Sequence, residues 1–216
     1  MVGKMFKPVL CLFVLALAST VFAQTAHRPA IAHTTPSAVV TPTRALPPAL
    51  KKIFSNLGPT ATDNYNDATG YYILGPTNSL GDAEQWIALP FTPKTGAHVT
   101  ELQAAVGSIS GTLKVVVGLY SDNAGTVGTL LASGSSTHIP AFGACCQLVS
   151  VHITSTAVTA GTQYWIGVST DDTNAPDFTG VFESSNDNNT AGNESAGSWF
   201  TFSNNVPAAA ALGTIP

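Results

Sequence analysis

Charge is what this sequence has least of. Only 9% of its 216 residues are Asp, Glu, Lys or Arg, against about 25% in an ordinary soluble domain. Its surface must be carried instead by Thr, Ser, Asn and Gly. Cations are the scarcer sign: from Gly58 onward only Lys94 and Lys114 remain against all 12 acids, a formal −10. Affinity for nucleic acid rests on Lys and Arg displacing counterions, so nucleic acid is excluded as a partner. Cysteine is scarce as well, with Cys11, Cys145 and Cys146 alone. The chain is therefore not a disulfide-dense scaffold, and its length allows a hydrophobic core without stapling. Catalytic motifs are missing too. There is no Gly-x-Ser-x-Gly elbow, no His-Glu-x-x-His and no phosphate-binding glycine loop, and the five histidines have no obvious nucleophile or carboxylate partner in sequence.

Long apolar runs are absent except at the start. Lys4 and Lys7 precede an apolar stretch over residues 9–18, and Val21-Phe22-Ala23 supplies small residues at a cleavage site. Residues 1–23 read as a secretory signal peptide, with Gln24 as the mature N-terminus. The stretch is shorter than the roughly 20 residues that span a bilayer, so no transmembrane segment is expected after cleavage. The expected location is secreted, periplasmic or at the cell surface.

Residues 24–46 are rich in Thr, Pro and Ala without an apolar period, which predicts an extended linker. Residues 47–58 then place prolines ahead of Leu50, Ile53, Phe54 and Leu57, with Gly58 as a stop, which predicts a short amphipathic helix. Beyond it the period becomes two. Ile87, Leu89 and Phe91 alternate, as do Leu113, Val115, Val117 and Leu119, then Val149, Val151 and Ile153, then Tyr164, Ile166 and Val168. Weaker strands fall at 70–74, 98–106, 128–133, 178–183 and 198–202, and 186–198 reads as a flexible polar loop. About nine short strands separated by turn-formers predict an all-β fold over 59–216, an antiparallel β-sandwich of jelly-roll type.

Three segments carry a family likeness: Phe91-Thr92-Pro93, the hairpin from Leu119 to Ala132 around Tyr120-Ser121-Asp122-Asn123-Ala124-Gly125, and Ala160-Gly161-Thr162-Gln163-Tyr164-Trp165-Ile166. Together they resemble the choice-of-anchor type domains of exported bacterial surface proteins, with Val127 standing where that pattern has Pro. The resemblance covers roughly 85–213. It implies an extracellular β-sandwich with no enzymatic activity. The sorting tail that often accompanies such domains is not recognisable here.

Candidate sites are few. Asp122-Asn123-Ala124-Gly125 has the residues of a tight hairpin turn. Asp171, Asp172, Asn174 and Asp177 form the densest carboxylate cluster, and their oxygens make a candidate calcium site. Cys145-Cys146 is a candidate vicinal disulfide, favoured by an oxidising compartment although adjacent Cα atoms sit about 3.8 Å apart, below the usual disulfide range. Trp86, Trp165 and Trp199 are candidate platforms for stacking on sugar rings. These features predict a non-catalytic exported protein in surface or matrix interaction, in contact with polysaccharide or a surface protein. The alternatives are a secreted hydrolase drawing a carboxylate pair from Asp171, Asp177, Glu183 and Glu194, or a purely structural surface protein.

Overall fold

A computed structural model describes residues 31–33, 50–58, 69–143, 148–195 and 197–216. The signal segment and most of the Thr/Pro/Ala-rich linker lie outside the described residues. Thirteen strands are named: β1 Ile31–His33, β2 Lys51–Ser55, β3 Thr69–Leu74, β4 Trp86–Phe91, β5 Ala97–Ala104, β6 Val106–Ser110, β7 Val115–Asn123, β8 Thr126–Ser136, β9 Val149–Val158, β10 Tyr164–Thr170, β11 Thr179–Ser195, β12 Ser198–Pro207 and β13 Ala209–Thr214. They form two antiparallel sheets. The larger runs β1-β3-β11-β4-β10-β7-β8, with β6 and β12 also paired to β11; the smaller runs β2-β13-β5-β9.

The period-two residues meet between the sheets. Ile87, Leu89, Val117, Leu119, Ile166 and Val168 of the larger sheet pack on Val99, Leu102, Val149, Val151 and Ala211 of the smaller. Each is a strand residue whose neighbours point the other way, so one face of each sheet closes over the core. Leu113 does not join them: it is 41% exposed, and β7 begins only at Val115.

Two expectations are corrected. No helix is found among the described residues, and the segment predicted to be one is strand β2. Its partner is the Ala-rich β13, in the register Ala211↔Phe54 and Ala210↔Ser55. Asn56 fastens the pair, because its side chain donates to Pro207 O at 2.8 Å and accepts from Ala209 N at 2.7 Å. Phe54 stacks on Phe91 with centroids 5.1 Å apart. Tertiary pairing here overrides a helical apolar spacing that is only two turns long.

The supposed polar loop over 186–198 is the second correction. β11 runs to Ser195, turns at Gly197 and returns as β12 in continuous register from Asn188↔Asn205 to Ser195↔Ser198. β11 serves two ladders, with β3 and β6 along Thr179–Glu183 and with β12 and β4 further on. A register shift between Ser184 and Asn188 separates them.

Candidate functional site

The face of the larger sheet that points away from the core is made by the residues between the period-two apolar ones. Across four neighbouring strands these are small: Gly118 on β7 pairs with Gly167 on β10, Gly167 with Ala88 on β4, and Ala88 with Gly192 on β11. The row is a trough, and side chains from the β7–β8 hairpin lie in it. A Cβ at Gly167 would stand 2.9 Å from Tyr120 Cε2, and one at Gly192 would stand 2.7 Å from Val127 Cγ2. Ala88, Tyr120, Val127 and Trp165 form a small second core here, with Trp199 packed against it. Tyr120 meets Trp199 edge to face at 5.8 Å.

The hairpin reaches this trough because its ladder slips on either side of Tyr120, between Leu119 and Asp122. Bulges of this kind bend and twist a strand pair. The reversal places Ala124 at φ 52° and Gly125 at φ 86°, the double positive φ of a tight two-residue turn. Asp122 anchors it. One carboxylate oxygen accepts from Trp165 Nε1 at 2.8 Å and Gln163 Nε2 at 2.7 Å; the other accepts from Gly125 N at 3.0 Å. Desolvation works against the charge, yet the donors Gly125, Trp165 and Gln163 hold this carboxyl below the usual range. The residues read as a turn are a turn.

One row further along the same face, Glu194 on β11 pairs with Trp86 on β4 on one side and with Trp199 on β12 on the other. A carboxylate thus stands between two indoles, both half-buried. Glu84, two residues before Trp86, and Asp172, two residues past the end of β10, border the same corner. Their electrostatics are coupled. Burial first, then the negative charges of Asp172 and Glu194, push the Glu84 carboxyl up to about 7, and its protonated form donates to Asp172. Burial and Asp172 also raise Glu194, against backbone N–H groups of Gly197 and Ser198 that favour its charge. Tyr120 is pushed up to about 12 by burial and by Glu194. Two buried polar atoms in this row, Trp86 Nε1 and Glu194 Oε2, have no hydrogen-bond partner among the described residues.

Further along the β11–β12 hairpin, Asn189, Thr190, Ser203 and Asn204 line an open depression of about 420 Å³. Thr190 and Ser203 are a register pair on the same face as Glu194 and Trp199. The Thr190 and Ser203 hydroxyls therefore continue the face that the indoles begin, while Asn189 and Asn204 alternate to the other side.

The three tryptophans have different places. Trp165 is fully buried beneath the hairpin and is no platform, because its ring fills the second core and its N–H is taken by Asp122. Trp86 and Trp199 stay in one row. The carboxylates read as a calcium set are each turned to a protein donor. Asp171 takes Lys114 Nζ at 2.6 Å and the backbone and side-chain amides of Asn174 at 3.0 and 2.8 Å. Asp172 accepts from Thr170 Oγ1 at 2.5 Å, and Asp177 from Thr112 N at 3.1 Å. Among the described residues no group of three His, Cys, Asp or Glu is arranged to hold a metal ion. Of the four residues considered for a hydrolytic pair, Glu194 alone stands between the indoles. Glu183 is buried, at about 8 through desolvation. Glu84 was not singled out in the sequence, where it is one acid in the turn-rich Gly81-Asp82-Ala83-Glu84.

The vicinal cysteines are also corrected. Cys11, Cys145 and Cys146 all lie outside the described residues, and no disulfide is present among the described residues. The Cys145-Cys146 bridge is withdrawn.

Two packed antiparallel sheets define the class: an all-β protein of sandwich-like build. No family model, no curated protein and no solved structure matches the chain. Among the described residues no helix is long and apolar enough to cross a membrane.

Proposed function

We propose that this is an exported, non-catalytic β-sandwich protein of the choice-of-anchor, jelly-roll kind, which contacts polysaccharide at a cell surface or in a matrix through the outer face of its larger sheet. The observation that carries the reading is the row Trp86, Glu194, Trp199, in which two half-buried indoles flank a carboxylate in cross-strand register. Indole faces stack on the apolar faces of pyranose rings, and fixed acceptors orient their hydroxyls. The polar depression along β11 and β12 extends the contact beyond one sugar unit. The signal-like segment over residues 1–23 and a chain that changes sheet after β1, β2, β4, β5, β8, β9 and β12 support the export and topology parts.

A second reading, the secreted hydrolase, is favoured by Glu84, whose value of about 7 suits a general acid. Its partner argues against glycoside hydrolysis. Glu84 and Asp172 are close enough to share a proton, whereas glycosidase carboxyls stand about 5 Å or more apart.

Retention of the purified protein on a panel of immobilised polysaccharides, with and without calcium chelation, tests the proposal. Retention on at least one, weakened by Trp199→Ala, is expected. Retention on none overturns it in favour of a structural role, and release of soluble sugar from the panel favours the hydrolase.

A further inference from the structure

We infer that the outer-face site is built for a ligand that brings positive charge, and that its class of polysaccharide is the amino sugars with a free ammonium group. The inference rests on the reading of this face as a sugar-contact surface and narrows it. The β4–β10 and β4–β11 registers bring Glu84, Asp172 and Glu194 to the corner where β4 begins and β10 and β11 end. None of the three takes part in a salt bridge among the described residues, where the ion pairs join Lys114 to Asp171 and His152 to Glu101.

A second observation does not depend on the number of acids. Glu194 is only 4% exposed, and its Oε2 has no hydrogen-bond donor among the described residues. A buried carboxylate oxygen without a donor is costly. An ammonium N–H supplies the donor and the countercharge together. Trp86 and Trp199 stand on either side of that oxygen's carboxylate, and an ammonium within about 6 Å of an indole face is attracted to it. A neutral hydroxyl satisfies the donor but brings no countercharge to the corner. A bare metal ion suits the corner less, since no three carboxylates among the described residues have ligating geometry. A lysine side chain brings charge without the flat pyranose face that the indoles fit.

The test is titration calorimetry of the purified full chain with three probes: a β-1,4-linked glucosamine oligomer, the same oligomer fully N-acetylated, and oligolysine of matched charge. The glucosamine oligomer is expected to bind at least about tenfold more tightly than its acetylated form. That preference is expected to disappear in Glu194→Gln and in Glu84→Gln, each checked for folding by circular dichroism. Equal affinity for the two sugars overturns the inference and leaves the sugar-contact reading standing. Oligolysine binding more tightly than the glucosamine oligomer also overturns it, in favour of a basic peptide. Binding to neither sugar overturns the inference, and the sugar-contact reading is then decided by the polysaccharide panel.

Discussion

The indole N–H of Trp165 donates to Asp122 at 2.8 Å, which ties a fully buried ring in the middle of the larger sheet to the tip of the hairpin that covers it. The same carboxylate closes the turn through Gly125. One side chain thus fixes both the hairpin's shape and its place on the sheet. Asp122→Ala leaves the Trp165 N–H buried without an acceptor, and a loss of about 2 to 3 kcal/mol is expected, read from urea unfolding. In Trp165→Phe the donor is gone, so Asp122→Ala on that background should cost less. Equal costs on both backgrounds would show that the bond contributes nothing of its own.

Gly167 should resist even one added carbon. Its Cβ would lie 2.9 Å from the Tyr120 ring, and overpacking of this kind costs about 1 to 3 kcal/mol. Gly167→Ala is therefore expected to lower the melting temperature, and Tyr120→Leu is expected to recover part of the loss by vacating the trough.

Ala124 offers the opposite case. It holds φ 52°, a left-handed backbone that costs a residue with a Cβ about 1 to 2 kcal/mol. Ala124→Gly removes that strain while loosening the unfolded chain, and a net gain of about 0.5 kcal/mol is expected by chemical denaturation. A net loss would mean that the Ala124 methyl makes contacts worth more than the strain.

Stability should fall as the solution is made more basic. Burial holds Glu183 at about 8 when folded, whereas an unfolded glutamate titrates near 4.3. Between those values the folded chain keeps a proton that the unfolded chain gives up. The contribution is complete below the unfolded value and is lost as pH rises toward about 8, with a slope of at most about 1.4 kcal/mol per pH unit. Glu84, at about 7, adds in the same direction. Urea midpoints at pH 5 and pH 8 are expected to differ accordingly, and Glu183→Gln should narrow the difference. A protein more stable at pH 8 than at pH 5 would contradict this.

Much of the fold was legible because strand periodicity is a local signal. Ile87, Leu89, Ile166 and Val168 alternate in the chain and all lie in the core. The Asp122 to Gly125 turn could be read from its residue types alone. Leu50, Ile53, Phe54 and Leu57 could not, since their spacing suits one face of a helix and nothing nearby announces that β13 will take them as a strand. Ala209–Thr214 is equally silent: alanine has little strand preference, yet this segment lies between β2 and β5. The site was half legible. Trp86, Trp199 and Glu194 drew attention as residue types, but they are up to 113 positions apart in number, and Glu84 gains its importance only from the acids that the sheet sets beside it.

What the sequence by itself determined is therefore the class of build: an all-β chain poor in charge, with paired apolar faces, a tight acidic hairpin and an excess of acids over bases. Only the tertiary structure decided which tryptophan is buried, that a presumed helix is a strand, and that Glu194 stands between two indoles with Glu84 and Asp172 bordering the same corner. The reason is physical. Alternation and turn chemistry act over a few residues, whereas cross-strand register is set by hydrogen bonds between segments far apart in the chain, and a register names the neighbours of every side chain at once.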